Sequence, residues 1–179
     1  MSWTKFEKIL DSVSAFRKSR KKAADYLVVH PELTRRLLSA VPKAQNRKQQ
    51  QLLWVLEMAC REDVEILSDY IEYFLIEICS LQNKAIERCC SKICELIAHT
   101  ESQKRLSSYQ RTKIIEHSFI WLTESQQVAV AVNAMQTLYI LKDDKPWLVD
   151  ELRAIIQEKY PSSSAGFKSR ASKILNKLS

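Results

Sequence analysis

The feature that most constrains this chain is its almost complete lack of glycine. Gly166 is the only glycine among 179 residues, where average usage near 7% would give about a dozen. One glycine cannot form a dinucleotide-binding GxGxxG turn, a Walker-type phosphate loop or a glycine-flanked nucleophile elbow. Asn-Gly and Asp-Gly hairpin turns are also absent, which argues against an all-β fold. The composition therefore predicts helices joined by short turns.

Apolar residues recur at helical spacing along nearly the whole chain. The first predicted helix spans residues 3–17, with Phe6, Leu10, Val13 and Phe16 on its apolar side. Two short helices follow on either side of Pro31, a residue that suits a first helical turn. The longer predicted helices span residues 46–61, 63–80, 83–99, 107–123, 125–141, 146–160 and 164–178. The series predicts one domain, 1–179, in which the shorter helices of 1–45 cap the regular repeats of 46–179.

One apolar pattern, at positions i, i+1, i+4 and i+8, occurs four times at intervals of 37, 42 and 39 residues. Its copies, in which Arg170 is the one polar mismatch, are Leu52, Leu53, Leu56 and Cys60; Cys89, Cys90, Ile93 and Ile97; Ala131, Val132, Met135 and Tyr139; and Arg170, Ala171, Ile174 and Leu178. A second amphipathic helix lies between successive copies. Because one helical hairpin cannot bury both apolar faces alone, such hairpins stack. The pattern predicts an all-α, right-handed superhelix of about four hairpins, with an irregular helical bundle as the alternative.

The period near 40, the paired helices and the small residues on the first helix of each pair resemble HEAT repeats. Residues 127–138, 152–158 and 164–175 resemble more closely a group of small bacterial HEAT-like proteins without an established function. The resemblance implies an armadillo-type α-solenoid. Some members of that group carry the label adenylosuccinate lyase. This chain has neither the Ser-rich, Gly-containing catalytic loop nor the length of such lyases.

The net charge of +7 is unevenly distributed: residues 1–48 carry +8, residues 49–161 carry −5 and residues 162–179 carry +4. Basic ends suggest an anionic partner, and a solvated surface is the alternative. The candidate anion-binding residues are Arg17, Lys18, Arg20, Lys21 and Lys22, and Gly166, Lys168, Arg170 and Lys173 near the start of the last helix. A helix N-terminus favours phosphate or carboxylate; a serine-capped terminal helix with a polar outer face is the other interpretation.

The predicted helix 63–80 lies in an acidic stretch, because residues 62–83 contain six Asp or Glu and no Lys or Arg. On the concave side of a solenoid, its Glu65, Asp69 and Glu72 would suit a basic segment of a partner and repel a DNA backbone. The next helix on the expected concave side, predicted over residues 107–123, is more basic, with Arg105, Arg111 and Lys113 in or near it. The tryptophans Trp54, Trp121 and Trp147 fall within or beside apolar stripes and are predicted to be core.

Nothing in the sequence indicates catalysis. The three histidines have no spacing that marks a general base. The cysteines Cys60, Cys79, Cys89, Cys90 and Cys94 are expected to be reduced and packed in the core, because no second pair of ligands completes a zinc site. We therefore expect no enzyme activity, no cofactor and no metal. The uncharged residues 125–141 are too short and polar to span a bilayer, and the start of the chain has no apolar signal core. These features predict a cytoplasmic protein without a membrane partner.

Two functions remain. The leading hypothesis is a non-enzymatic scaffold that binds a protein or peptide on its concave face through Glu65, Asp69 and Glu72. The alternative is binding of nucleic acid or another polyanion through the basic N- and C-terminal segments.

Overall fold

A computed structural model describes residues 3–99 and 106–178, and these residues form helices and turns without any strand. The α-helices are α1 Trp3–Asp11, α2 Arg17–Val29, α3 Thr34–Ala40, α4 Asn46–Glu62, α5 Ile71–Tyr73, α6 Lys84–His99, α7 Ser108–Glu124, α8 Val128–Ile140, α9 Leu148–Lys159 and α10 Ala165–Leu178. The all-α prediction is confirmed over the described ranges. Arg105 lies outside them. No helix within these ranges has both the length and the apolar character needed to cross a bilayer.

The chain divides into two compact units, Met1–Leu96 and Ile97–Ser179. In the first unit, α2 packs against α1 and α4, and α4 also contacts the 3-10 helix Val64–Tyr70. In the second unit, α8 packs against α7, α9 and α10. The assignment of residues 1–179 to a single repeat domain remains a prediction.

The recurring apolar pattern marks positions in the core. All members of its first two copies, those in α4 and α6, are buried. In the third and fourth copies, Ala131, Met135, Ala171 and Ile174 are buried, whereas Tyr139 and the other members are half-buried. Burial of one side of each helix removes apolar surface from water, at about 25 cal/mol per Å². The periodicity therefore identified the buried side of the long helices.

The prediction of one helix over residues 3–17 is wrong after Asp11. The Ser12 hydroxyl donates to the Ile9 carbonyl at 2.7 Å, and the Ser14 hydroxyl accepts from the Phe16 amide at 3.3 Å. Such serine bonds offer the backbone an alternative to the helix. Val13 is buried in the resulting turn, but Phe16, predicted to lie on the apolar side, is 80% exposed.

The segment predicted as a helix over 63–80 is helical but irregular. It begins with the 3-10 helix Val64–Tyr70, continues through α5 and ends in the π-helix Phe74–Ile78, where the Cys79 amide donates to the Phe74 carbonyl at 2.9 Å. A 3-10 turn holds fewer residues than an α turn, and a π turn holds more. The smaller number of residues per turn in the 3-10 helix and the larger number in the π-helix offset one another. Six apolar side chains of this segment consequently remain buried, whereas Tyr73 and Ile76 are exposed; the buried residues are Ile66, Leu67, Ile71, Phe74, Leu75 and Ile78.

The prediction that three tryptophans belong to the core holds fully for one of them. Trp121 is buried and Trp54 is half-buried. Trp147 is 51% exposed, so its assignment to the core is wrong. It lies at the N-cap of α9, where it packs its ring against Phe119 with 5.7 Å between the ring centroids. A position in the turn, just outside the apolar periodicity of α9, accounts for its exposure.

A buried carboxylate links α4 to α6. The Glu57 carboxylate forms an ion pair with Arg61, one turn later in α4, at 2.7 Å. It forms a second ion pair with Arg88 of α6 at 3.1 Å. The Asn83 amide, just before α6, donates to Gln49 of α4 at 2.7 Å. Buried polar groups are costly unless they are paired. These pairs therefore favour one alignment of the two segments.

All five cysteines are free and buried, in agreement with the predicted packing of reduced thiols in the core. Burial raises the pKa of the Cys60 thiol well above its ordinary range, and the nearby carboxylates of Asp63 and Glu57 act in the same direction. Burial likewise raises the pKa of Cys79 and of Cys89. A thiolate is unfavourable in such surroundings, so these thiols are protonated in the folded chain.

We predict that the free energy of unfolding falls as the pH rises above about 9. The unfolded chain releases its thiol protons near the ordinary pKa of 9.0, whereas the folded chain retains them, so alkali favours unfolding. Urea unfolding of Cys60→Ala should show a loss of stability between pH 9 and 10 that is about 1 kcal/mol smaller than in the parent. Titration of Lys and Tyr is common to both proteins. Equal losses would contradict the assignment of a raised pKa to Cys60.

Candidate functional site

The three predicted partner-binding carboxylates lie on the solvent side of the irregular segment Val64–Ile78. Glu65, Asp69 and Glu72 are all exposed. Tyr73 and Ile76 lie on the same side, with exposed fractions of 37% and 40%. We call these five residues the acidic face. It presents both negative charge and apolar surface to a partner.

The charges of the acidic face are partly engaged within the chain. The Glu65 carboxylate accepts a hydrogen bond from the Ser68 hydroxyl at 2.8 Å. Within the part of the chain that the structure describes, Asp69 and Glu72 form no ion pair. The preceding Glu62, outside the acidic face, lies 3.5 Å from Lys21. Two carboxylates of the acidic face are therefore available to an external cation.

The basic residues of the N-terminal segment do not act as one cluster. Arg20 donates to the Ala15 carbonyl at 2.6 Å, and its guanidinium lies 5.0 Å from the centre of the Trp54 ring. Lys21 pairs with Asp25 at 2.8 Å, and this hydrogen bond raises the pKa of Lys21. Two of the five predicted anion-binding residues are thus engaged by the fold itself.

The other three cations of this segment are exposed, and two of them lie near an exposed aromatic ring. Arg17, Lys18 and Lys22 are exposed and form no ion pair with any residue in the described ranges. Phe16, immediately before α2, projects beside them. Lys18 and Lys22 line the same open groove as Phe16, with a volume of about 740 Å³. We call Phe16, Arg17, Lys18 and Lys22 the N-terminal basic patch.

The predicted anion site at the start of the last helix does not form as one group. The Ser163 hydroxyl donates to the Lys159 carbonyl at 2.7 Å, which engages it locally. Lys168 donates to the Pro161 carbonyl at 3.0 Å and lies over the Tyr160 ring. At Gly166, which is exposed, an added Cβ would make ordinary van der Waals contact with Val128 Cγ1 at 3.4 Å, so packing against α8 does not require glycine there. Lys168 is therefore engaged within the fold, and neither Lys168 nor Gly166 lines the pocket that contains the other two candidates.

Arg170 and Lys173 line a pocket of about 290 Å³ between α8 and α10, which we call the α8–α10 pocket. Its lining residues are Gln136, Tyr139, Arg170, Lys173, Ile174, Asn176 and Lys177. Arg170 donates to the Gln136 side-chain oxygen at 2.8 Å, and the Lys177 ammonium lies 5.6 Å from the centre of the Tyr139 ring. Lys177 was not among the predicted residues. The spacing 170, 173, 177 places all three on one side of a helix and could have identified it.

Within residues 3–99 and 106–178, no three His, Cys, Asp or Glu side chains are grouped to hold a metal ion. Comparisons with family models, with curated proteins and with solved structures find no match for this chain. The three surfaces described above are therefore the basis on which a function is inferred.

We predict that Arg20 contributes to stability, whereas its neighbour Lys22 does not. Arg20→Ala removes the hydrogen bond to Ala15 and the contact with Trp54, and should lower the free energy of unfolding by about 1–3 kcal/mol in urea titrations. Lys22→Ala, the matched loss of one exposed positive charge, should change it by less than about 0.5 kcal/mol. Similar effects of the two substitutions would show that the contacts of Arg20 are not stabilising.

Proposed function

We propose that this chain is a non-enzymatic scaffold that binds a basic segment of a partner protein on the acidic face. The observation that supports this most directly is the exposure of Tyr73 and Ile76 among the carboxylates of Glu65, Asp69 and Glu72. The proposal includes a HEAT-like solenoid, a right-handed stack of helical pairs formed by residues 1–179. The fourfold apolar pattern at intervals near 40 residues supports that arrangement.

The chemistry of the acidic face fits a basic amphipathic segment. Aromatic residues supply much of the binding energy at protein interfaces, and a surrounding polar rim excludes water. Tyr73 and Ile76 would contact the apolar side of the partner. Asp69 and Glu72 would attract its Lys or Arg side chains, which mainly increases the association rate and the specificity. The absence of Lys and Arg from residues 62–83 removes local competition for these carboxylates.

We predict that reversing the charges of the acidic face abolishes this binding. The unmodified chain is used as bait in extracts of its native cell, and the captured protein is identified and titrated as a purified component. Glu65→Lys, Asp69→Lys and Glu72→Lys together should weaken its binding by at least about tenfold, because attraction of the basic segment becomes repulsion.

The matched control carries Glu124→Lys, Glu151→Lys and Glu158→Lys. These positions are exposed and lie in α7 and α9 of the second unit, so the net charge changes equally while the acidic face keeps its carboxylates. Binding within about twofold of the parent is expected for the control. An acidic-face variant that binds its partner as tightly as the control does would contradict the proposed site.

The second candidate function is binding of nucleic acid or another polyanion through the basic N- and C-terminal segments. The N-terminal basic patch favours it specifically, since Arg17, Lys18 and Lys22 are exposed beside the exposed ring of Phe16. Proteins that bind single-stranded nucleic acid combine such cations with aromatic rings on which bases stack. Each phosphate contact releases counterions, so binding would weaken steeply with salt.

For this candidate we predict retention on heparin at about 50 mM salt and elution as the salt rises. Arg17→Gln, Lys18→Gln and Lys22→Gln together should elute earlier than a variant with Lys8→Gln, Lys43→Gln and Arg47→Gln, which loses the same charge at other exposed positions. With a single-stranded oligonucleotide, the patch variant should lose about two units from the slope of log K against log salt. Equal elution of the two variants, or no retention of the parent, would contradict this candidate.

A further inference from the structure

We infer that the α8–α10 pocket binds a small ligand that carries two linked phosphoryl groups. This site belongs to the second compact unit and the acidic face to the first, and the site does not depend on the protein partner proposed above. It gives the C-terminal basic residues a discrete small ligand, whereas the polyanion candidate treats them as part of a surface for nucleic acid. The charge of the pocket, its dimensions and its hydrogen-bonding groups each support the assignment.

The pocket has uncompensated positive charge. Arg170, Lys173 and Lys177 line it, and none of its lining residues is acidic. Neither α8 nor α10 contains an Asp or Glu. The contact that orients Arg170 comes from the neutral Gln136 amide and leaves the guanidinium charge unbalanced. Like charges three and four residues apart on a helix repel one another. An anionic ligand would relieve this repulsion.

The number of cations selects the size of the anion. Arg170, Lys173 and Lys177 lie on one side of α10 within about two helical turns. One phosphoryl group carries at most about two negative charges, whereas two linked groups carry enough charge and oxygen atoms to engage all three cations. The pocket volume of about 290 Å³ is near the lower end for small-molecule sites. The ligand is therefore small.

The lining groups supply complementary kinds of contact. The planar guanidinium of Arg170 matches two oxygens of one phosphoryl group, and the lysines act as point charges toward the other. The amide of Asn176 is a further donor at the wall. Tyr139 and Ile174 give an apolar wall, which suits the organic part of a diphosphate ester.

The test uses inorganic pyrophosphate and inorganic phosphate as probes, titrated into the full chain at constant ionic strength and followed by calorimetry and amide NMR. Pyrophosphate should shift the amide signals of residues 170–177 and bind at least about tenfold more tightly than phosphate. Lys173→Gln with Lys177→Gln should weaken pyrophosphate binding by at least about tenfold, a loss equivalent to about 1.4 kcal/mol. Arg170→Lys, which keeps the charge but removes the planar fork, should also weaken it.

The matched control, Lys113→Gln with Lys145→Gln, loses the same charge in the same unit, at residues that do not line the pocket, and should bind pyrophosphate within about twofold of the parent. Thermal unfolding establishes that each variant is folded, and Arg170→Lys provides the test if the double variant is not. Absence of pyrophosphate shifts at millimolar concentration, equal affinity for phosphate, or equal weakening by the control would overturn the inference. An oligonucleotide that binds through Lys173 and Lys177 when pyrophosphate does not would also overturn it and would favour the polyanion candidate.

Discussion

The long helices of this chain depend on contact with one another, because each has an apolar side that a neighbour must cover. Isolated helices of 12–17 residues are marginal in water, and most helical stability in proteins comes from tertiary packing. In the first unit, α2 and α4 provide this cover for each other, and in the second unit α8 is covered by α7 and α10. The polar sides of the helices remain free of this constraint. The carboxylates of the acidic face and the cations of the N-terminal basic patch lie on exposed sides, whereas the α8–α10 pocket lies between two helices.

The buried polar groups help to fix how the packed helices align with one another. Apolar contacts alone tolerate small shifts between helices. The carboxylate of Glu57 meets guanidinium groups from both α4 and α6, and the Asn83 amide meets Gln49. A shift of one helical turn would leave the buried carboxylate without the Arg88 partner, which is costly. These few polar contacts therefore favour one register of α4 against α6.

The sequence predicted the fold class and most of the long helices because apolar periodicity reports directly on burial. It failed where local hydrogen bonds compete with that periodicity. The serines at positions 12 and 14 end α1 before Phe16, and the turn before α9 leaves Trp147 exposed. The candidate site residues were identified by charge, except for Gly166, which was identified by its place near a helix start. Sequence cannot show that Arg20 lies on Trp54 or that Lys168 folds back onto Pro161, since those contacts depend on tertiary geometry and on turn conformation.

The π-helix Phe74–Ile78 also has a consequence for how the chain tolerates changes in length. A π turn accommodates one residue more than an α turn, so a deletion within it could be absorbed by conversion to ordinary α geometry. Such a shortened variant would stay helical, and the residues on either side would keep their orientation, because one residue fewer completes the same turn. The acidic face would keep its direction, and the buried apolar residues beside it would stay in the core. The same deletion in the regular helix α4, where each residue corresponds to a rotation of about 100°, would instead turn one end of the helix away from its contacts.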